Sequence, residues 1–111
     1  MTKWIVGGYL RLSNDDNLLE ESNSIVNQRD ILNQFLKNQS DMKLYKFYVD
    51  DGYTGTDFNR PGFQELMADI KDAKINSVIV KDLSRIGRNY IEVGNFVEEI
   101  VPLYKLRFIS I

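Results

Sequence analysis

Lys3-Trp-Ile-Val-Gly-Gly-Tyr-Leu-Arg-Leu-Ser13 is a run of apolar, β-branched and aromatic residues that ends in a polar segment. It lacks the strict alternation of a half-exposed strand, so it predicts a strand buried on both faces in the middle of a sheet. Immediately after it, Asn14 to Asn23 carries two Asp, two Glu and three Asn, a solvated loop. Ser24 then suits the N-cap of a helix, with Ile25, Val26, Arg29, Leu32, Phe35 and Leu36 recurring at three- and four-residue spacing as far as about Asn38. Leu44 to Val49 is a second, aromatic-rich strand closed by Asp50-Asp51-Gly52.

The turn formers of Tyr53 to Arg60 lead to Pro61, a residue suited to the first position of a helix. Phe63, Leu66, Met67 and Ile70 give that helix its apolar stripe, which fades near Ala73. Ser77 to Val80 is a short apolar strand, Lys81 to Asn89 a basic loop, and Tyr90, Val93, Phe96, Val97 and Ile100 a third helical stripe that Pro102 is expected to terminate. Leu106 to Ile111 is a fourth strand. The alternation of strand and helix predicts an α/β domain in three layers, a mainly parallel central sheet flanked by helices. In such sheets ligands bind beyond the carboxyl ends of the strands, so the loops at 11–23, 50–60 and 81–89 are expected to share one functional edge.

A chain of 111 residues is one domain, 1–111, with one small sheet. Its 43% hydrophobic and 27% charged residues are ordinary for a globular protein. The N-terminus has no signal-peptide layout and no apolar run reaches the ~20 residues of a membrane span, so the expected location is the cytoplasm, with no membrane partner. Cysteine and histidine are both absent, which excludes disulfides, thiol nucleophiles, thiolate or imidazole metal sites and the Ser-His-Asp triad. The formal net charge of −2 gives no bulk positive field.

The chemistry must then come from other groups. Of six arginines, Arg11, Arg60, Arg85 and Arg88 fall at or beside the three carboxyl-end loops. Any one of them is most simply a surface partner of a carboxylate such as Asp15, Asp57 or Asp82, worth about 0–1 kcal/mol. Four on one edge repel one another unless an anion lies between them, and guanidinium forks onto phosphate oxygens. Ser13 follows two residues after Arg11. A serine at a strand end is usually a cap, but beside several arginines it becomes a candidate nucleophile whose alkoxide, and the charge developing on a phosphoryl centre, are stabilised without histidine. The Asp50-Asp51 pair and Asp82 keep a metal-dependent alternative open only weakly, and no cofactor is expected.

These residues resemble a family. Tyr9-Leu-Arg11-Leu-Ser13 is similar to the Tyr-x-Arg-x-Ser signature of serine recombinases, the resolvase and invertase group, and Ser24-Ile-Val-Asn-Gln28-Arg29 to the helix start that follows it. Asp51 to Phe63, containing Thr54-Gly55 and Arg60, resembles the loop that ends in a catalytic arginine. Lys81-Asp-Leu-Ser84-Arg85-Ile-Gly-Arg88-Asn89 looks like the family's last arginine motif. The acidic stretch at 14–23 and the wording around Arg60 look most like the large, transposon-associated members.

The resemblance implies a resolvase-like fold and a Ser13 that attacks a DNA phosphodiester to form a 5′-phosphoserine link. Arg11, Arg85 and Arg88 would hold the phosphate oxygens, and Arg60 would assist nucleophile or leaving group. Tyr9, Gln28 and Ser84 would be supporting residues. Many small members carry Asp where this chain has Ser84, so no carboxylic general acid is assigned. The resemblance further implies DNA as partner, association into dimers and tetramers, and an assembly helix and DNA-binding domains beyond Ile111, without which residues 1–111 are expected to be nearly inactive.

Two other readings stand beside it. Asp50 or Asp51 with Lys81 would suit a phospho-acceptor receiver module or another non-catalytic phosphate-binding domain. Tyr90, Phe96 and Tyr104 would, as an exposed aromatic stripe, mark an interaction domain, although such stripes are more often core.

Overall fold

A computed structural model describes residues 3–12, 24–51, 61–86 and 90–111. The elements are β1 (Trp4–Leu12), α1 (Ile25–Lys37), β2 (Met42–Asp51), α2 (Pro61–Lys71), β3 (Ser77–Val80), a 3-10 turn (Leu83–Arg85), α3 (Tyr90–Asn95), a π-helical turn (Phe96–Ile100), α4 (Val101–Leu103) and β4 (Arg107–Ser110). The strands form one sheet in the order β2-β1-β3-β4, with every neighbouring pair parallel. The apolar opening segment is therefore the inner strand that its composition predicts.

Helices cover both faces. Against one, Val6, Leu10 and Ile79 pack with Leu32 and the partly buried Ile25, Phe35 and Leu36 of α1. Against the other, Tyr9, Tyr48, Val78 and Val80 meet Phe63, Leu66 and Ile70 of α2 and Phe96. A cross-face aromatic series continues this second layer: Tyr9 to Phe63 at 5.5 Å between ring centres, Phe63 to Phe96 at 6.0 Å and Phe96 to Phe108 at 5.3 Å. Phe96 is thus core and Tyr104 packs partly buried against it, so two members of the supposed interaction stripe belong to the interior. The side chain of Tyr90 lies outside the described residues.

Close packing on β1 depends on glycine. A Cβ on Gly8 would lie 2.7 Å from the Phe47 ring, so Phe47 reaches across β1 only because Gly8 has no side chain. A bulge between Val6 and Gly7 lets Tyr45 stand as an extra residue in β2, because Val6 pairs with Leu44 while Gly7 pairs with Lys46.

Three expectations change. Val26 is 66% exposed, whereas Gln28, polar but fully buried, takes its place on the inward face of α1. β2 is longer than its apolar centre, running from Met42 to Asp51. Pro102 does not stop the third helical region, which continues to Leu103. In a regular α-helix the proline ring would strike the carbonyl four residues back; here Phe96–Ile100 forms a wide turn in which the Val101 N–H reaches the Phe96 carbonyl, and the ring is accommodated.

Candidate active site

The strand order reverses at β1: the chain leaves it for β2 on one side and returns to β3 on the other. The carboxyl ends of β1 and β3 therefore border a topological switch point, the place where this architecture binds ligands. Arg11 stands one residue before the end of β1, and Arg85 closes the 3-10 turn that follows β3. That turn is fixed by its own backbone, with the Arg85 N–H donating to the Asp82 carbonyl at 3.1 Å and the Ile86 N–H to the Leu83 carbonyl at 3.0 Å, and by Ile86, which is fully buried.

Arg11 and Arg85 clasp one another. Arg11 Nε donates to the Arg85 carbonyl oxygen at 3.1 Å, and Arg85 Nη1 donates to the Arg11 carbonyl oxygen at 2.6 Å. Each side chain holds the other residue's backbone. Both are buried, Arg11 fully and Arg85 at 3% exposure. Asp82 Oδ1 lies 3.4 Å from Arg85 Nε, so the carboxylate partnership foreseen for an isolated arginine does occur, on one member of the pair. Charge placed here acts in a poorly solvated setting, where its field on a neighbouring anion is strong.

Gln28 completes the frame. The last β1–β3 pair is Gly8 with Ile79, which leaves Arg11 beyond the ladder. The Gln28 side chain serves there as a strand would: its Oε1 accepts from the Arg11 N–H at 3.2 Å and its Nε2 donates to the Arg11 carbonyl at 3.0 Å. Ser24 starts the helix that carries it, its hydroxyl accepting from the Asn27 N–H at 3.1 Å. A buried glutamine on an otherwise apolar helix face is thus explained by the backbone groups it satisfies.

Tyr9 supports the edge from below. Its hydroxyl donates to Asp50 Oδ2 at 2.8 Å, and the same carboxylate accepts from the Gly62 and Phe63 N–H groups at 2.8 and 2.9 Å. Asp50, 2% exposed, therefore caps α2 from the end of β2 and places negative charge at a helix N-terminus. A Cβ on Gly62 would come within 2.8 Å of the Val49 carbonyl, so glycine there lets α2 approach closely enough to be capped. Asp50, on sequence alone a possible metal ligand or phospho-acceptor, is thus a helix cap; the signal for this is the Pro61-Gly62 helix start, which needs an acceptor for its first N–H groups.

Of the candidate residues, the structure brings together Arg11, Arg85 and Gln28, with Tyr9 two residues before Arg11 on β1. Ser13, Arg60 and Arg88 lie outside the described residues, as does the side chain of Ser84. Among the described residues no group of three acidic side chains is gathered as a metal site would require, and no helix is long and apolar enough to cross a membrane.

The fold is shared with solved structures. The N-terminal catalytic domain of TP901-1 integrase is 27% identical, with a TM-score of 0.83 over 96% of this chain and 75% of that one. A resolvase family site-specific recombinase from Streptococcus pneumoniae is 29% identical, with a TM-score of 0.76 over 97% and 72%. At 17% identity, the catalytic domain of ISC1926 TnpA, an IS607-like serine recombinase, shares the fold with a TM-score of 0.77 over 96% and 69%. No match was found among curated proteins. The family model for the resolvase N-terminal domain matches residues 6–111. With that match spanning nearly the whole sheet and both clasped arginines, the chain belongs to the resolvase N-terminal domain family.

Proposed function

We propose that this chain is the catalytic domain of a site-specific DNA recombinase that cuts and rejoins strands through Ser13. The observation that supports it most is the reciprocal clasp of Arg11 and Arg85 at the carboxyl ends of β1 and β3, with Arg11 two residues before Ser13 in the chain. In this reading Ser13 Oγ attacks a DNA phosphorus, the new O–P bond forms as the bond to the 3′ oxygen breaks, and the DNA is left as a 5′-phosphoserine ester and a free 3′-hydroxyl. The serine gives up its proton and the departing oxygen gains one. Religation runs the same step backwards, so the phosphoester bond is conserved and no nucleotide cofactor is consumed.

The clasp suits this chemistry because it fixes two permanent cations before substrate arrives, and preorganised charge stabilises a developing oxyanion without reorganisation at the moment of reaction. Arg88 and Arg60 would complete the phosphate cradle, with Gln28 and Tyr9 as positioning residues. Dimers and tetramers of the full protein would bring two DNA sites together. The receiver-like reading is not favoured at Asp50, because both its oxygens are engaged by Tyr9, Gly62 and Phe63 instead of standing open to a phosphoryl group; the side chain of Asp51 lies outside the described residues.

A trapping experiment tests the proposal. Full-length protein incubated with its recombination-site DNA and denatured in detergent is expected to yield a covalent protein–DNA adduct whose free DNA end is a 3′-hydroxyl. Ser13→Ala is expected to abolish the adduct, and Arg85→Ala to slow its formation by about 10²–10³-fold, the usual consequence of losing one oxyanion donor. An adduct of equal yield from Ser13→Ala removes the nucleophile assignment.

A further inference from the structure

The parallel sheet has a second edge, where the strands begin, and it carries a charge pattern that the catalytic reading does not use. Lys3 precedes β1, Lys43 is the second residue of β2, and Arg107 opens β4. The returning helices add Lys37 and Lys71 at the ends of α1 and α2. Lys74 and Lys105 lie in the connections to β3 and β4. Half of the chain's 14 Lys and Arg thus collect at one edge, and all seven are exposed.

Lysines at helix C-termini have a local reason to be there, since they offset the helix dipole. The strand-start cations have none. Of these seven cations, Lys74 alone has a carboxylate of the described residues within 4 Å, Asp69 Oδ1 at 3.9 Å. Lys3 Nζ lies 5.5 Å and Arg107 Cζ 5.2 Å from the centre of the Trp4 ring. The indole holds two like charges near one another by cation–π attraction, where bare side chains would spread apart. Asp41 and Asp72 neighbour Lys43 and Lys71 in sequence.

We propose that this amino-terminal edge is a second DNA-binding surface, which takes the phosphate backbone of a duplex without reading its sequence. Lys43 and Arg107 stand on the outer strands, three inter-strand spacings or about 14 Å apart. A duplex carries one negative charge per about 1.7 Å of its axis, so a row of that width faces several phosphates at once. β1 spans nine residues and separates this edge from the arginine clasp by about 26 Å. The two edges therefore engage different stretches of DNA, and the domain bridges them. Choosing DNA among polyanions rests on the recombinase reading.

The test is the salt dependence of binding to a 30-base-pair duplex of arbitrary sequence, compared between Lys43→Gln/Lys105→Gln and Arg29→Gln/Lys46→Gln, two variants of equal net charge. The edge variant is expected to bind more weakly, by tenfold or more at low salt, and to lower the slope of log affinity against log salt by about two, one for each lost phosphate contact. The control variant is expected to keep the wild-type slope. Equal loss in both variants, or no loss in either, overturns the proposal. So does a wild-type preference for anionic lipid vesicles or polyglutamate over the duplex. Ser13→Ala is expected to bind normally: loss of the covalent adduct with duplex binding intact bears on the nucleophile alone, whereas an unchanged edge variant with a normal adduct removes only this surface.

Discussion

At the scale of single residues, the buried Gln28 and Asp69 each answer a backbone or hydroxyl group. Gln28 shows the cost of removing such a side chain. Gln28→Leu keeps the volume but strands the buried N–H and part of the bonding of the carbonyl of Arg11, so it is expected to lose about 1–3 kcal/mol in urea unfolding despite being more apolar. Tyr48 offers a pH signature. Its hydroxyl donates to the buried Asp69 carboxylate at 2.6 Å, and burial together with that neighbouring negative charge drives its pKa well above the ordinary value. The folded state favours the protonated phenol. Stability from this pair is therefore fully present below the ordinary tyrosine value near pH 10 and is lost as pH rises past it. The Glu65 hydrogen bond raises Lys46 in the same direction. Tyr48→Phe is expected to be less stable at neutral pH, by about 1 kcal/mol, yet to show a shallower fall between pH 10 and 11.5 in thermal melts.

At the scale of elements, helix ends are where local chemistry and tertiary demand part company. Both α2 and α4 finish in the same motif: after α2 the Lys74 N–H reaches the Asp69 carbonyl and the Ala73 N–H the Ile70 carbonyl, and after α4 the Leu106 N–H reaches Val101 and the Lys105 N–H Pro102. The residue at the left-handed position is Ala73 in one case, with φ 58°, and Lys105 in the other, with φ 51°. Glycine is the usual occupant because it has no Cβ to clash. Ala73→Gly is therefore expected to stabilise the domain by about 0.5–1 kcal/mol, read as a higher midpoint of thermal unfolding. The absence of glycine also explains why these ends were hard to place from sequence. The apolar stripe of α2 fades into charged residues without a stop signal. Pro102 gave a stop signal that the preceding wide turn overrode. Strands were more legible, since β1 and β3 are continuous apolar runs, while the polar ends of β2 join the sheet through backbone pairing that composition does not reveal.

At the scale of the whole molecule, the order of elements and the shared carboxyl edge could be read from the alternation of periods alone, and so could the company of Arg11 and Arg85. What could not be read was the manner of their meeting. Arginines near a site suggest side chains fanned toward an anion; here Arg11 and Arg85 hold each other's backbones, and Gln28 rather than a neighbouring strand completes the pairing. Such bonds join residues far apart in sequence, which no local window reports. The net charge of −2 was equally uninformative, because a total does not say where along the fold the charges gather.

The clasp also ties the site to the history of the chain. Arg11 and Arg85 are 74 positions apart, and between them lie α1, β2, α2 and β3. Closing so long a loop is an event of high contact order, completed only when those elements have packed. A chain still emerging from the ribosome, or one whose β3 has come loose, holds Arg11 without Arg85 and so has no assembled cation pair to offer a phosphate. Assembly of the pair thus reports that the domain is whole.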